Sequence, residues 1–320
     1  MSPGRKRISV IDPIHPALQR AGLILFRPFN FGKWFVIGFG AWLASLAKAG
    51  GGGNLGGRLG GFADSADESL TFQDWLHETL GWLSENAGWL MPAAIALAVV
   101  GATVWIVLLW LSSRGEFMFL HCVAFNVAEA ADPWKAHSEG ANSLWMFRVI
   151  LFFISTPLLL GIAGALVWVA AQAGLSGQFT SGSIILLGVL SILLILTVVV
   201  TLIVDLFTLD FIVPLMFRRN LSCPAAWKHF GSLLPGYPGP FFLYILFRIV
   251  LKLIAGALLL VLFLATCCIA CCLLSIPYLG TVLLLPVLVF LRSYSAFFLA
   301  QFGPEHDVFQ ASRPALVAAV

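Results

Sequence analysis

Charged side chains within or at the ends of long apolar runs are the residues of this chain best placed to do chemistry. Asp205 and Asp210 follow the apolar run 183–204, and Arg292 lies within a later one. Ionisable groups in such segments are costly to bury, face the protein interior and often pair with one another. We therefore predict a buried polar cluster on the cytoplasmic half of the protein, in which Asp205 or Asp210 neutralises Arg292 and Arg248.

Three further charges stand where other apolar runs begin or end. Arg148 and Arg248 open two runs, and Glu116 follows a third. Such a cluster could bind a polar or anionic substrate or a lipid headgroup, or take part in a proton-coupled step. The alternative is structural: its ion pairs hold the helices in register. The candidate cluster comprises Asp205, Asp210, Arg292, Arg248, Arg148 and Glu116.

The other chemistry-bearing residues form no catalytic, cofactor or metal motif. The run 267–272 (CCIACC) contains Cys-x-x-Cys, but one helix spreads these sulfurs over a broad arc, whereas zinc needs a closed tetrahedral shell. We interpret the cysteines as packing residues, with a disulfide or a lipidated thiol as alternatives. The segment 303–307 (GPEHD) could hold a metal, but we interpret it as a solvated helix end. We expect no cofactor and no catalytic residue.

Composition indicates what kind of element must position these charges. Of 320 residues, 60% are hydrophobic and only 10% charged, against roughly 25% charged in soluble domains. A helix crosses a bilayer with about 20 apolar residues, and several runs are that long. We predict an all-α, polytopic membrane protein. Its six predicted transmembrane helices are 29–47, 91–111, 144–172, 183–204, 241–265 and 278–300.

The basic residues predict the orientation. Lysine and arginine accumulate on the cytoplasmic side of membrane proteins, and all but two of the 18 here, Lys48 and Arg58, lie on one side of the predicted spans or in the half of a span that adjoins that side. We predict a cell-membrane protein with both termini in the cytoplasm. The predicted parts are an N-terminal interfacial segment 1–28, a single transmembrane domain 29–300 and a tail 301–320.

The first outer connection, 48–90, has two parts. Residues 50–61 are glycine-rich, and they lack the Gly-Lys-Ser/Thr ending of a phosphate-binding loop. Residues 71–89 place several tryptophans close to one helical face, which favours the headgroup layer of a membrane. We predict an amphipathic helix that lies on the outer surface or, equally, packs on the other spans.

The organisation predicts a repeat. Phe-Arg pairs stand at 26–27, 147–148 and 247–248, each after a proline-started interfacial segment. We infer three parallel helical hairpins. Parallel repeats in membrane proteins are related by an axis along the membrane normal, so the three hairpins would form a pseudo-threefold arrangement. The alternative is that polytopic proteins in general place proline, tryptophan and arginine at the inner interface.

Two stretches carry a family resemblance. Residues 11–43 and 112–148, the latter with RGEFMF at 114–119 and NSLWMFR at 142–148, resemble an uncharacterised family of bacterial multi-pass membrane proteins. Residues 213–248 look like the membrane region attached to some glycerophosphodiester phosphodiesterases. The first resemblance implies the membrane class without an assigned activity. The second implies no activity, because the chain has no room for the soluble barrel that performs that chemistry.

These observations favour a non-enzymatic module: a scaffold, or a component of membrane or envelope homeostasis, that contacts lipid, a protein partner or a second copy. The sequence has no stripe of basic residues that would indicate binding to nucleic acid. The alternative is a transporter or channel for a small polar solute, with Asp205, Asp210 and Arg292 near its path. An intramembrane enzyme is the third hypothesis. A polar cavity reaching these charges would favour transport, and a closed bundle with paired charges would favour the scaffold.

Overall fold

The computed structural model describes residues 8–50, 72–129, 131–175, 180–265 and 276–310. Within these ranges all regular structure is helical, which confirms the all-α class. A π-helical segment spans Thr208–Ile212, and short 3-10 turns span Leu234–Gly236 and Pro304–His306. The helices are α1 (Ile14–Phe26), α2 (Phe31–Gly50), α3 (Phe72–Phe125), α4 (Ala131–Ala136), α5 (Ser138–Leu175), α6 (Ser181–Phe207), α7 (Val213–Arg219), α8 (Cys223–Leu233), α9 (Pro238–Ala265), α10 (Pro277–Leu283) and α11 (Leu285–Ala300).

Four stretches of helix in the described residues are long and apolar enough to cross a membrane. They correspond to the predicted second, third, fourth and fifth spans, and are Gly88–Phe125, Ser138–Gly174, Ser181–Arg219 and Pro238–Val261. The predicted first and sixth spans correspond to shorter apolar helices, Phe31–Ala47 and Leu285–Ala300. The helices therefore fit a membrane protein, with four long apolar segments.

The sixth predicted span is broken into α10 and α11. Leu284 ends one helix and Pro286 lies in the first turn of the next. Proline has no backbone N–H and its ring clashes with the preceding turn, so it starts helices more readily than it continues them. The hydropathy of 278–300 is continuous across this break.

Helix α3 is continuous for 54 residues and contains Pro92. The predicted outer helix 71–89 is helical from Phe72 onward and runs into the following span without a turn. Its placement on a membrane surface stays a prediction. The glycine-rich segment 51–61, the cysteine run 267–272 and the end of the tail, 311–320, lie outside the described residues.

The chain forms two compact units. The first contains the described residues of 1–45, 110–147 and 205–320, and the second those of 46–109 and 148–204. In the second unit α3 and α5 touch through Trp105 and Phe152, whose ring centroids lie 3.9 Å apart. Large apolar side chains on its helices are exposed, among them Leu97, Ile192 and Val167. Helices that are apolar all round are typical of membrane spans.

The first unit has a dense core around α1 and α11, which pack along each other. One face of α1 is buried at the spacing of an amphipathic helix, namely Ala17, Arg20, Ala21, Ile24 and Leu25. Ile24 and Leu25 belong to a hydrophobic cluster with Val123 of α3 and Val289 of α11. This core positions the buried charges.

Candidate functional site

Asp210 is the centre of the polar cluster and lies in the π-helical segment after α6. Its side chain is buried and accepts two hydrogen bonds. Arg248 donates from Nη2 to Oδ1 at 2.9 Å, and the Tyr244 hydroxyl donates to Oδ2 at 2.9 Å. Both donors lie on α9 four residues apart, which places them on the same helical face. Both carboxylate oxygens of Asp210 are therefore occupied by protein.

Arg248 links a second element to the pair. Its Nη1 donates to the backbone carbonyl of Leu291 in α11 at 2.9 Å. The guanidinium thus joins α9 to the π-helical segment on one side and to α11 on the other. Side chains of this kind persist in a helical interior because the partner charge and the carbonyl offset the cost of desolvation.

Arg292 pairs differently from the sequence-based expectation. Its Nη1 donates to the Leu209 carbonyl at 2.6 Å, and its Nη2 lies 3.5 Å from Oε2 of Glu116 in α3. The carboxylate that neutralises Arg292 is therefore Glu116, and neither Asp205 nor Asp210 forms that ion pair. Asp210 accepts hydrogen bonds from Arg248 and Tyr244 instead.

Two candidates remain, Asp205 and Arg148. Asp205 is half-buried, and within the described part of the chain it forms no ion pair. Arg148 is buried but belongs to the second unit. The site in the first unit is therefore built from Asp210, Arg248, Arg292 and Glu116, together with Tyr244.

Tyr244 and the π-helical segment were not predicted. The sequence could have indicated Tyr244, because it stands one helical turn before Arg248 and so lies on the same face of the helix. The sequence could not have indicated the π-helical turn, since one extra residue in a turn does not change the hydropathy pattern of the apolar run. Such turns are rare and occur frequently at functional sites, and this one contains both Asp210 and the Leu209 carbonyl.

A second buried arginine, Arg20, holds α1 to the end of α3. Its Nε and Nη2 lie 3.2 and 3.0 Å from the Val123 carbonyl, and Nη2 also donates to the carbonyl of Ala124. The guanidinium lies 4.7 Å from the ring centroid of Phe309. Burial lowers the pKa of Arg20 to about 10, against the favourable charge of Asp307. The residue stays protonated at neutral pH, as a cation at a helix C-terminus should.

Two histidines, scattered in sequence, meet beside the C-terminal segment. Nε2 of His229 in α8 lies 3.1 Å from Nε2 of His306. Arg219 Nη1 is 3.3 Å from the same atom of His229, and Glu305 Oε1 is 3.4 Å from Nδ1 of His306. Burial, His229 and Arg219 together lower the pKa of His306 against the opposing charge of Glu305. Groups of three or more metal-ligating side chains do not occur in the described ranges.

Three cavities bear on what the site can do. One of about 500 Å³ lies in the first unit among α2, α3 and α4. Two of about 360 and 300 Å³ lie in the second unit between α5 and α6. None of these three is lined by a residue of the cluster around Asp210. The cluster is a set of paired charges between helices, and it lines none of these openings.

Comparison with known proteins gives a family and no activity. No curated protein and no solved structure matches the chain. The profile of a family of unknown function, DUF7544, matches residues 8–300. The match spans both compact units and every residue of the cluster. The chain belongs to this family.

Proposed function

We propose that this protein is a non-enzymatic, multi-pass scaffold of the cell membrane that contacts lipid, a protein partner or a second copy of itself. Its buried charges hold the helices in register. The observation that carries this proposal is the occupation of Asp210. Both of its oxygens accept hydrogen bonds from α9 and the side chain is buried, so the carboxylate is bound by protein groups within the helical interior.

The other pairs support the same interpretation. Arg248 reaches Leu291, while Arg292 reaches Leu209 and Glu116. Three non-adjacent parts of the chain are thereby tied to α11 at its middle. A solute pathway would instead place such charges along an opening, and the three cavities described above have other linings.

The proposed topology has six spans with both termini in the cytoplasm. The four long apolar segments would be joined by α2 as the first span and by α10 with α11 as a broken sixth one. Three parallel hairpins, each leaving and re-entering the cytoplasmic side, complete the arrangement. The one-sided distribution of lysine and arginine supports this orientation.

Reporter fusions test the topology. A reporter active only in the cytoplasm should give a signal when fused after Lys135 or Lys228, and none after Gly57 or Ser181. A cytoplasmic signal at Gly57 or Ser181 contradicts the orientation.

Native mass spectrometry of the protein extracted with its surrounding lipids tests the scaffold. We expect a lipid, a second copy or a partner chain to remain bound. A bare monomer under conditions that keep other membrane complexes intact contradicts the proposal.

A further inference from the structure

The cavity of about 500 Å³ in the first unit is an open groove with an almost entirely apolar lining. Its volume lies within the range of roughly 300–1,000 Å³ that is typical of small-ligand sites. Residues of α2, of the last part of α3 and of α4 line it. The groove is lined by Phe39, Leu43, Leu111, Met118, Ala131, Trp134 and Lys135.

Two glycines allow the helices beneath the groove to approach closely. A Cβ atom on Gly115 would overlap the backbone nitrogen of Ala44, and one on Gly40 would lie 3.1 Å from the terminal methyl of Met118. The hydroxyl of Ser112 donates to the Ala44 carbonyl at 2.8 Å across the same contact. Small residues permit such close crossings of membrane helices, so the walls of the groove are held in place by backbone packing.

An arginine and two tryptophans lie next to the groove, since Trp134 is one of its lining residues. The guanidinium of Arg114 lies 4.6 Å from the ring centroid of Trp110 and 5.1 Å from that of Trp134. It also donates to the Trp134 carbonyl at 3.1 Å. Tryptophan and arginine together are typical of the headgroup layer of a membrane. The apolar lining of the groove therefore adjoins a basic and aromatic group.

Lys135 is the basic residue among those that line the groove. It is exposed, and the described parts of the chain provide it with no ion pair, although Asp132 and Glu139 stand near it in sequence. A lysine binds phosphate as a point charge. Basic pockets between membrane helices on the cytoplasmic side bind anionic lipid headgroups.

We propose that this groove is a binding site for an anionic phospholipid. One acyl chain lies along Leu111 and Met118, and Lys135 beside Arg114 holds the phosphate. This groove would be the place where the proposed scaffold contacts lipid. The proposal rests on the proposed function only for the location of α4 at the cytoplasmic surface. An apolar groove lined by a lysine that has no ion pair within the described residues complements a lipid with a negative headgroup better than one with a zwitterionic headgroup.

The test measures lipid preference on the full chain in detergent, where orientation in a membrane plays no part. Native mass spectrometry compares phosphatidylglycerol with phosphatidylcholine of the same acyl chains. We expect the wild type to favour the anionic lipid by about fivefold, since one lysine near a headgroup contributes about 1 kcal/mol. K135M should remove that preference, and the matched surface variant K228M should keep it.

A second pair of variants tests the groove itself. L111W fills the groove and should weaken binding of both lipids, whereas L253W on the exposed face of α9 should leave binding unchanged. Equal retention of the two lipids by the wild type, or equal preference in K135M and wild type, overturns the proposal. Unchanged binding in L111W overturns it as well. A topology result against the scaffold would leave these ratios unaffected, so the two proposals fail separately.

Discussion

Arg248 and Asp210 form a buried ion pair, with 2.9 Å between Nη2 and Oδ1 and with both side chains less than a tenth exposed. The hydroxyl of Tyr244 donates a hydrogen bond to the other oxygen of Asp210, Oδ2, at 2.9 Å. The pair joins α9 to the π-helical segment at the point where α6 ends. A charge left without its partner at this position would be desolvated and uncompensated.

Removing one member of the pair should therefore be more damaging than removing the whole group. We expect Asp210→Leu alone to lower the free energy of unfolding by about 3–5 kcal/mol, because it leaves the Arg248 charge unpaired. Thermal unfolding in detergent measures the loss. The matched control is V189L, an exposed apolar position of α6, which should change little. Equal stability of Asp210→Leu and wild type would contradict the pairing.

The close contact of α2 with α3 predicts a steric effect at Gly115. Gly115→Ala places a Cβ against the backbone of Ala44, and overpacking of this kind costs about 1–3 kcal/mol. Gly101 lies on the same helix with nothing within 4 Å of a built Cβ. We expect G101A to leave the unfolding temperature unchanged or raised and G115A to lower it. The reverse order would show that the helices do not cross at Gly115.

Arg20 should hold the C-terminal segment as well as the end of α3. Arg20→Lys keeps the charge but loses the fork that spans two carbonyls and the planar face over Phe309. We expect faster amide exchange at 304–309 and at the end of α3, with α9 unchanged. Arg27→Lys, at an exposed arginine just after α1, serves as the control. Unchanged exchange in Arg20→Lys would contradict this role.

The histidine pair predicts a pH dependence of the same segment. His306 has a pKa lowered by burial and by the neighbouring His229 and Arg219. The unfolded segment therefore binds a proton first, at an ordinary pKa of about 6.5. Its docking should be fully stable above that pH and weaken as the pH falls below it.

Hydrogen exchange of 304–309, corrected for the intrinsic exchange rate, measures this effect between pH 7.5 and 5.5. We expect the protection of the segment to fall with pH in the wild type and to become nearly constant in His306→Gln. A wild-type protection that rises or stays level as the pH falls would contradict the assignment.

Sequence patterns predicted the elements better than the contacts. Asp210 and Arg248 stood out because each is a lone charge beside an apolar run. The pairing of Arg292 with Glu116 was missed, since hydropathy says nothing about which distant helices meet. Pro286 marks the break between α10 and α11, yet the apolar run continues across it. His229 and His306 share no local pattern, because tertiary packing alone brings them together.

In the proposed function, the cluster around Asp210 only holds the helices in register. The most direct test of this role is native mass spectrometry of the triple variant D210L/Y244F/R248M, which replaces the charged group and its hydroxyl partner by apolar side chains of similar size. Replacement of a whole buried pair is often neutral or stabilising. We expect the triple variant to fold like the wild type and to keep the same bound lipids and chains. A triple variant that folds like the wild type but loses a bound species would contradict it.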